Sequence, residues 1–254
     1  MSNTAQKIVL CLILILLLSL ACAEDGDYVP PERLIPNDLS GANFSLGDLR
    51  LQDLSGKNLQ NANFFGSNLY NANFAKANLQ GANLSVAELE KANFIQADLR
   101  GVNLTEAQVE DANFTQADLR GANLIGACYL QTAVWTDAVL DEEVVYLINL
   151  LQTVESSKDL SEEDLDGVCF SQIDLQGANL QGASLRGANL FFADLTGADL
   201  TGADLTNATL RKATVTEEQL QSAKSICGIH FPDDAGGPLK QFMDAYGPDQ
   251  CSSE

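Results

Sequence analysis

A leucine or phenylalanine recurs at every fifth position through most of this 254-residue chain. The phase holds for nineteen positions from Leu39 to Tyr129, where only Val109 and Tyr129 depart from Leu or Phe. It holds again for twelve positions from Leu165 to Leu220, where Val215 alone departs. Ala usually stands two residues before the beat and Asn or Asp one before, as in Gly121-Ala122-Asn123-Leu124. Self-similarity at a fixed short period restricts the fold more than composition does.

A spacing of five fits neither standard element. At 3.6 residues per turn, each step of five rotates a helical side chain by roughly 140° beyond a full turn, so the leucines would scatter around the surface. Strand side chains alternate with period two, and five is odd. The chain must therefore turn a corner within every repeat so that each beat points inward again, which winds it into stacked coils, a solenoid. If four repeats close one coil, residues twenty apart should stack. Phe74, Phe94 and Phe114 fall in one such column, Phe44 and Phe64 in another. Asn43, Asn63, Asn83, Asn103 and Asn123 form an unbroken asparagine column, and Gly81, Gly101 and Gly121 line a corner.

The segments Ala42-Asn43-Phe44, Ala97-Asp98-Leu99-Arg100-Gly101 and Ala198-Asp199-Leu200-Thr201-Gly202 resemble the pentapeptide-repeat family, over both runs of the chain. The resemblance implies an all-β solenoid, a right-handed quadrilateral β-helix with a dry core of stacked Leu and Phe, here in two blocks. At about 4.8 Å per coil the first block would rise ~23 Å. The expected organisation is a signal peptide over 1–23, an acidic, Pro-containing linker over 24–36 and a first repeat block over 37–131. A helical insertion over 132–163, a second block over 164–221 and a carboxy-terminal cap over 222–254 complete it.

Residues 1–23 read as a targeting signal. Lys7 supplies the positive start, Ile8 to Leu20 is apolar, and Ala21-Cys22-Ala23 fits a small-x-small cleavage site before Glu24. A largely apolar stretch of thirteen residues is short for a permanent membrane span, so no stable transmembrane segment is expected. Leu18-Ser19-Leu20-Ala21-Cys22 also resembles a lipobox, in which Cys22 would be lipidated. Either route takes the domain out of the cytoplasm, and the family resemblance implies a periplasm or a thylakoid lumen as its destination. There, Cys128, Cys169, Cys227 and Cys251 can form two bridges, and four cysteines allow three connectivities. Cys227–Cys251 would close a loop around the tail. Cys128–Cys169, each one residue before a beat at an outward-facing position, would clamp the two runs together. Four free thiols are the alternative.

Between the runs the beat lapses and its phase slips by one residue. Asp141 to Val154 reads as a helix, with Val144, Val145, Leu147, Leu150, Leu151 and Val154 on an apolar face and Asp141, Glu142 and Glu143 at its amino-terminal end. Its plain role is to cover a coil end; docking a partner is the sharper one. A short capping helix is expected over Pro238 to Tyr246. Such end segments keep repeat stacks from adding to one another, or serve as the seam of a homodimer.

Catalytic chemistry has little to stand on. His230 is the one histidine, so Ser-His-Asp, Cys-His and two-histidine metal sets cannot be assembled. Trp135 reads as an end-of-core residue, and the recurring Gly-x-x-x-x-Gly is a by-product of glycine at corners. Asp174 over Asp194, or Asp199 beside Asp204, leaves a weak divalent-cation site as an alternative, but the glycine-rich nonapeptides of calcium-binding repeats are absent. No catalytic residue, cofactor or metal is expected.

The formal net charge of −21 argues against nucleic acid and anionic membrane surfaces as partners. Cytoplasmic members of the family resemble duplex DNA and inhibit topoisomerases, which makes DNA mimicry the rival expectation. Residues 37–131 contain ten acids and six bases, net −4, or one charge per ~6 Å against one per ~1.7 Å in duplex DNA. The dense acidity lies in 137–163, with eight acids against Lys158 alone. The sequence therefore points to a non-enzymatic exported scaffold for an unidentified protein partner, working through its outer faces. Phe65, Tyr70, Ile95, Phe191 and Phe192 are the expected contacts; the ladder Gln60, Gln80, Arg100, Arg120 reads as solubility and edge protection.

Overall fold

The computed structural model describes residues 36–230 and Phe242. It divides into two compact units, one of residues 36–124 and 132–144, the other of residues 125–131 and 145–230.

The backbone corrects the expected β-helix. Among the described residues there is no β-strand and no sheet; the regular elements are helix α1, Glu142–Ser157, and helix α2, Glu217–Ser222. Successive coils instead meet through isolated parallel bridges twenty residues apart, such as Asn43↔Asn63 and Asn63↔Asn83 in the first unit and Asp159↔Asn179 in the second. The reason lies in the corners. In most repeats one residue takes a left-handed φ, for example Gly41 at 65°, Leu46 at 57° and Leu51 at 61°. Leu39 O accepts from Ala42 N at 3.0 Å, which closes a four-residue turn with Gly41 at its third position, where positive φ belongs in a type II turn. Only one residue per side then pairs before the chain bends, so no ladder grows into a strand. The backbone polar groups are still satisfied: Phe44 N donates to Asn63 O, Leu46 N to Phe65 O, and Asn63 N to Ala42 O, at 2.7–2.8 Å.

The five-residue beat fills the axis of each unit. Phe64, Leu69, Phe74 and Leu79 are fully buried in the first, as are Leu175, Leu180, Leu185 and Leu190 in the second, with the residues two before each beat, alanine except for Ser67 and Ile173, buried beside them. Phe74, Phe94 and Phe114 stack with centroids 5.0 Å apart and planes within 3°, and Phe44 lies 4.9 Å from Phe64. Trp135 ends the column, 4.5 Å above Phe114, and its register is twenty-one. The extra residue enters at Tyr129, whose φ is 65° and which is half-buried, while Leu130 takes the buried position expected for Tyr129. Bridges Asn113↔Val134 and Asp118↔Val139 carry the longer register, so residues 132–139 complete a coil of the first unit.

In the second unit the coils begin at Asp159, one side before the expected run. They also continue past Leu220. Helix α2 opens with a capping box, Gln219 N donating to Thr216 Oγ1 and Thr216 N donating to Gln219 Oε1. It adds one residue, after which Asp204↔Ser225 and Thr209↔His230 pair at twenty-one and Ile226 and Ile229 are buried. Helix α1 buries Ile148, Leu151 and Val154, a stride of three, and leaves Val145 and Tyr146 exposed. The segment Pro238 to Tyr246 lies outside the described residues apart from Phe242.

Candidate interaction face

Three sides of the first unit repeat one polar design. The residue before the beat is Asn or Asp, and its side-chain oxygen accepts from the backbone N–H two residues on, as Asn63 Oδ1 does from Phe65 N at 3.1 Å. The amides also join coil to coil: Asn63, Asn83 and Asn103 each donate from Nδ2 to the Oδ1 twenty residues earlier, at 3.1–3.3 Å. Asn58, Asn78, Asn73 and Asn93 do the same on two further sides. Such a surface satisfies itself.

The fourth side departs from this design. Its column runs Asp48, Asn68, Glu88, Gln108, and the column two residues on runs Arg50, Tyr70, Glu90, Glu110. The longer Glu88 and Gln108 side chains stand out where Asn would fold back on its own turn. With Arg50, Asn68, Tyr70, Glu90 and Glu110 they line an open hollow of about 360 Å³. Arg50 grips Asp48 with two bonds, Nε to Oδ1 at 2.8 Å and Nη2 to Oδ2 at 2.6 Å, which holds the Asp48 carboxyl below its ordinary range. Asn68 Nδ2 donates to the Glu88 carboxylate. Lys91 Nζ sits 2.8 Å from Glu90 Oε1 and 5.5 Å from the centre of the Tyr70 ring, and the Glu90 contact raises its pKa.

Both corners of this side carry exposed apolar residues. Leu46 is 76% exposed, Leu51 67%, and Phe65 and Val86 43% each. Leu46, Leu51 and Val86 all occupy left-handed corner positions, where the other corners of the unit carry Gly, Asn, Lys, Gln or an acid. A Cβ built on Gly66 would come within 2.9 Å of Leu46 Cδ2, so the Leu46 side chain lies across the next coil at Gly66.

Of the residues expected as partner contacts, the structure brings Phe65 and Tyr70 to this side. Ile95 stands half-buried at another corner, and Phe191 and Phe192 pair edge-to-face at 4.6 Å in the second unit. Glu88, Glu90, Gln108, Glu110, Leu46, Leu51 and Val86 were not singled out by the sequence. Reading it in columns of twenty would have shown one column in which Glu and Gln replace Asn and Asp.

Cys128 and Cys169 are joined by a disulfide, Cα atoms 5.1 Å apart, within the second unit. Both are buried, each covered by the other and by Asn189, whose Nδ2 approaches the two sulfurs. Cys227 is disulfide-bonded; Cys251, its expected partner, lies outside the described residues, as does Cys22. His230 pairs its backbone with Thr209 at a coil end. Among the described residues no group of three or more His, Cys, Asp or Glu is placed to hold a metal ion, and no helix is long and apolar enough to cross a membrane.

Comparison with known proteins agrees with the repeat. The chain covers 86% of a pentapeptide repeat protein from the Arabidopsis thaliana thylakoid lumen at 33% identity, using 51% of its own length, with a TM-score of 0.38. It covers 81% of HetL, a pentapeptide repeat protein involved in heterocyst differentiation regulation in Nostoc sp. strain PCC 7120, at 28% identity, using 79% of its own length, with a TM-score of 0.32. No curated protein matches. The family model for pentapeptide repeats matches in eight copies, over residues 48–78, 67–105, 97–128, 169–207 and 188–217. Together these residues make up about half of the chain, and the chain belongs to the pentapeptide-repeat family.

Proposed function

We propose that this protein is a non-enzymatic, exported scaffold that holds a protein partner against the irregular side of its first unit. The observation that carries the reading is the apolar corner of Leu46, Phe65 and Val86, exposed beside an open polar hollow. A corner of a repeat stack needs only a small or polar residue; large apolar groups in water there serve a contact rather than the fold. Export rests on the signal-like residues 1–23, and the mass of the mature amino terminus tests it, whether the chain starts at Glu24 or at a lipidated Cys22.

The scaffold reading is tested by placing a photo-crosslinking amino acid at Phe65 or, for comparison, at Ile95 in the full chain in its own cells. A discrete protein adduct from position 65 and none from position 95 is the expected result. Equal labelling from both positions, or none from either, would reject it.

A further inference from the structure

The exposed apolar corner of Leu46, Phe65 and Val86 borders a side whose charge identifies its occupant. Residues 37–131 carry ten acids and six bases. The irregular side with its corners, residues 46–51, 66–71, 86–91 and 106–111, holds six of those acids and two of the bases. Within 37–131 the remaining sides hold four of each and are neutral, so the net −4 of these residues lies on one side, while Asp137, Asp141, Glu142 and Glu143 add acids beyond them in the first unit. Its two bases are already engaged, Arg50 with Asp48 and Lys91 with Glu90. Glu88, Glu106, Glu110 and Asp111 make no ion pair among the described residues. Glu90 and Glu110 occupy one column on adjacent coils, whose backbones lie about 4.8 Å apart.

We infer that this side binds a basic polypeptide segment that carries large apolar side chains. The apolar groups settle on Leu46, Phe65 and Val86, and the cationic ones lie over Glu88 and Glu110. Acidic surroundings set the orientation and the rate of encounter, while the buried apolar anchors set the lifetime. A second copy of the chain does not fit, because like charges would face each other across the seam. Nucleic acid and anionic lipid are repelled for the same reason.

This inference rests on the scaffold reading but has its own test. The probe is a synthetic peptide of alternating Arg and Leu, with an Arg/Ser peptide as its companion, titrated against the full chain by fluorescence anisotropy. The Arg/Leu peptide should bind more tightly than Arg/Ser, and more weakly as salt rises. Glu88→Gln with Glu110→Gln should weaken it about tenfold, whereas Asp53→Asn with Asp118→Asn on the regular sides should leave it unchanged. Leu46→Gly with Val86→Gly should also weaken it about tenfold while leaving the chain folded, because glycine suits those corners. Equal weakening by both acid pairs would overturn the inference, since attraction to total charge would then suffice, and so would binding of Arg/Ser as tight as Arg/Leu. Adducts at position 65 in cells, with no peptide preference, would keep the scaffold and discard the basic partner.

Discussion

Val86 shows most plainly how one residue can work against its own fold. Its φ is 60°, a conformation that costs a β-branched side chain roughly 1–2 kcal/mol, and it is exposed. Glycine would remove that strain and lose some of the gain to its own chain entropy, so Val86→Gly should raise stability by about 0.5 kcal/mol in urea unfolding. Gly121 is the converse: its φ is 69° and a Cβ there would meet nothing closer than 3.9 Å. Gly121→Ala should therefore cost about 1 kcal/mol through φ alone. The aspartates of the regular sides bear on pH. Asp98 and Asp118 are held below the ordinary value of 3.8, first by hydrogen bonds from Arg100 and Arg120. A depressed folded pKa contributes stability above the unfolded value and loses it as pH falls through the folded one. Thermal midpoints should thus be flat from pH 7 to about 4 and fall below it, with a shallower fall in Asp98→Asn.

At the level of elements, the aromatic column is the feature that the sequence made most legible. Phe74, Phe94 and Phe114 at intervals of twenty announced their own stacking, because identical flat rings one coil apart leave few other arrangements. Phe94 packs against a ring on each face at 5.0 Å, so Phe94→Leu should destabilise the first unit by ~2 kcal/mol in guanidinium unfolding, through lost stacking and an unfilled gap. The strands were misjudged for an equally physical reason. Side-chain period reports which residues point inward, but whether bridges fuse into a ladder depends on φ at the corners, which the beat does not encode. The one-residue slip between the runs is legible in the sequence but its position at Tyr129 is not, because a tyrosine fits the apolar pattern either inside, as expected, or half-outside, as found. The interaction side was half legible: Phe65 and Tyr70 stood out as large groups beside a beat, while Glu88 and Glu110 look ordinary in an acidic chain until the coils are laid side by side.

Across the whole molecule, the chain of −21 net charge distributes its acids unevenly, and within residues 37–131 the regular sides balance theirs with arginine and lysine. Ion pairs so exposed contribute little to stability, so their arrangement bears more on what approaches the surface than on the fold. The twenty-residue bridge register has a separate meaning for how such a chain is inherited. Excising residues 92–111 would join Lys91 to Ala112 and leave every remaining neighbour with an equivalent partner, whereas a cut of nineteen would turn leucines outward all the way downstream. Genes of this design can grow or shrink by whole laps, and the reading frame that evolution must guard is one of twenty amino acids as well as of three bases.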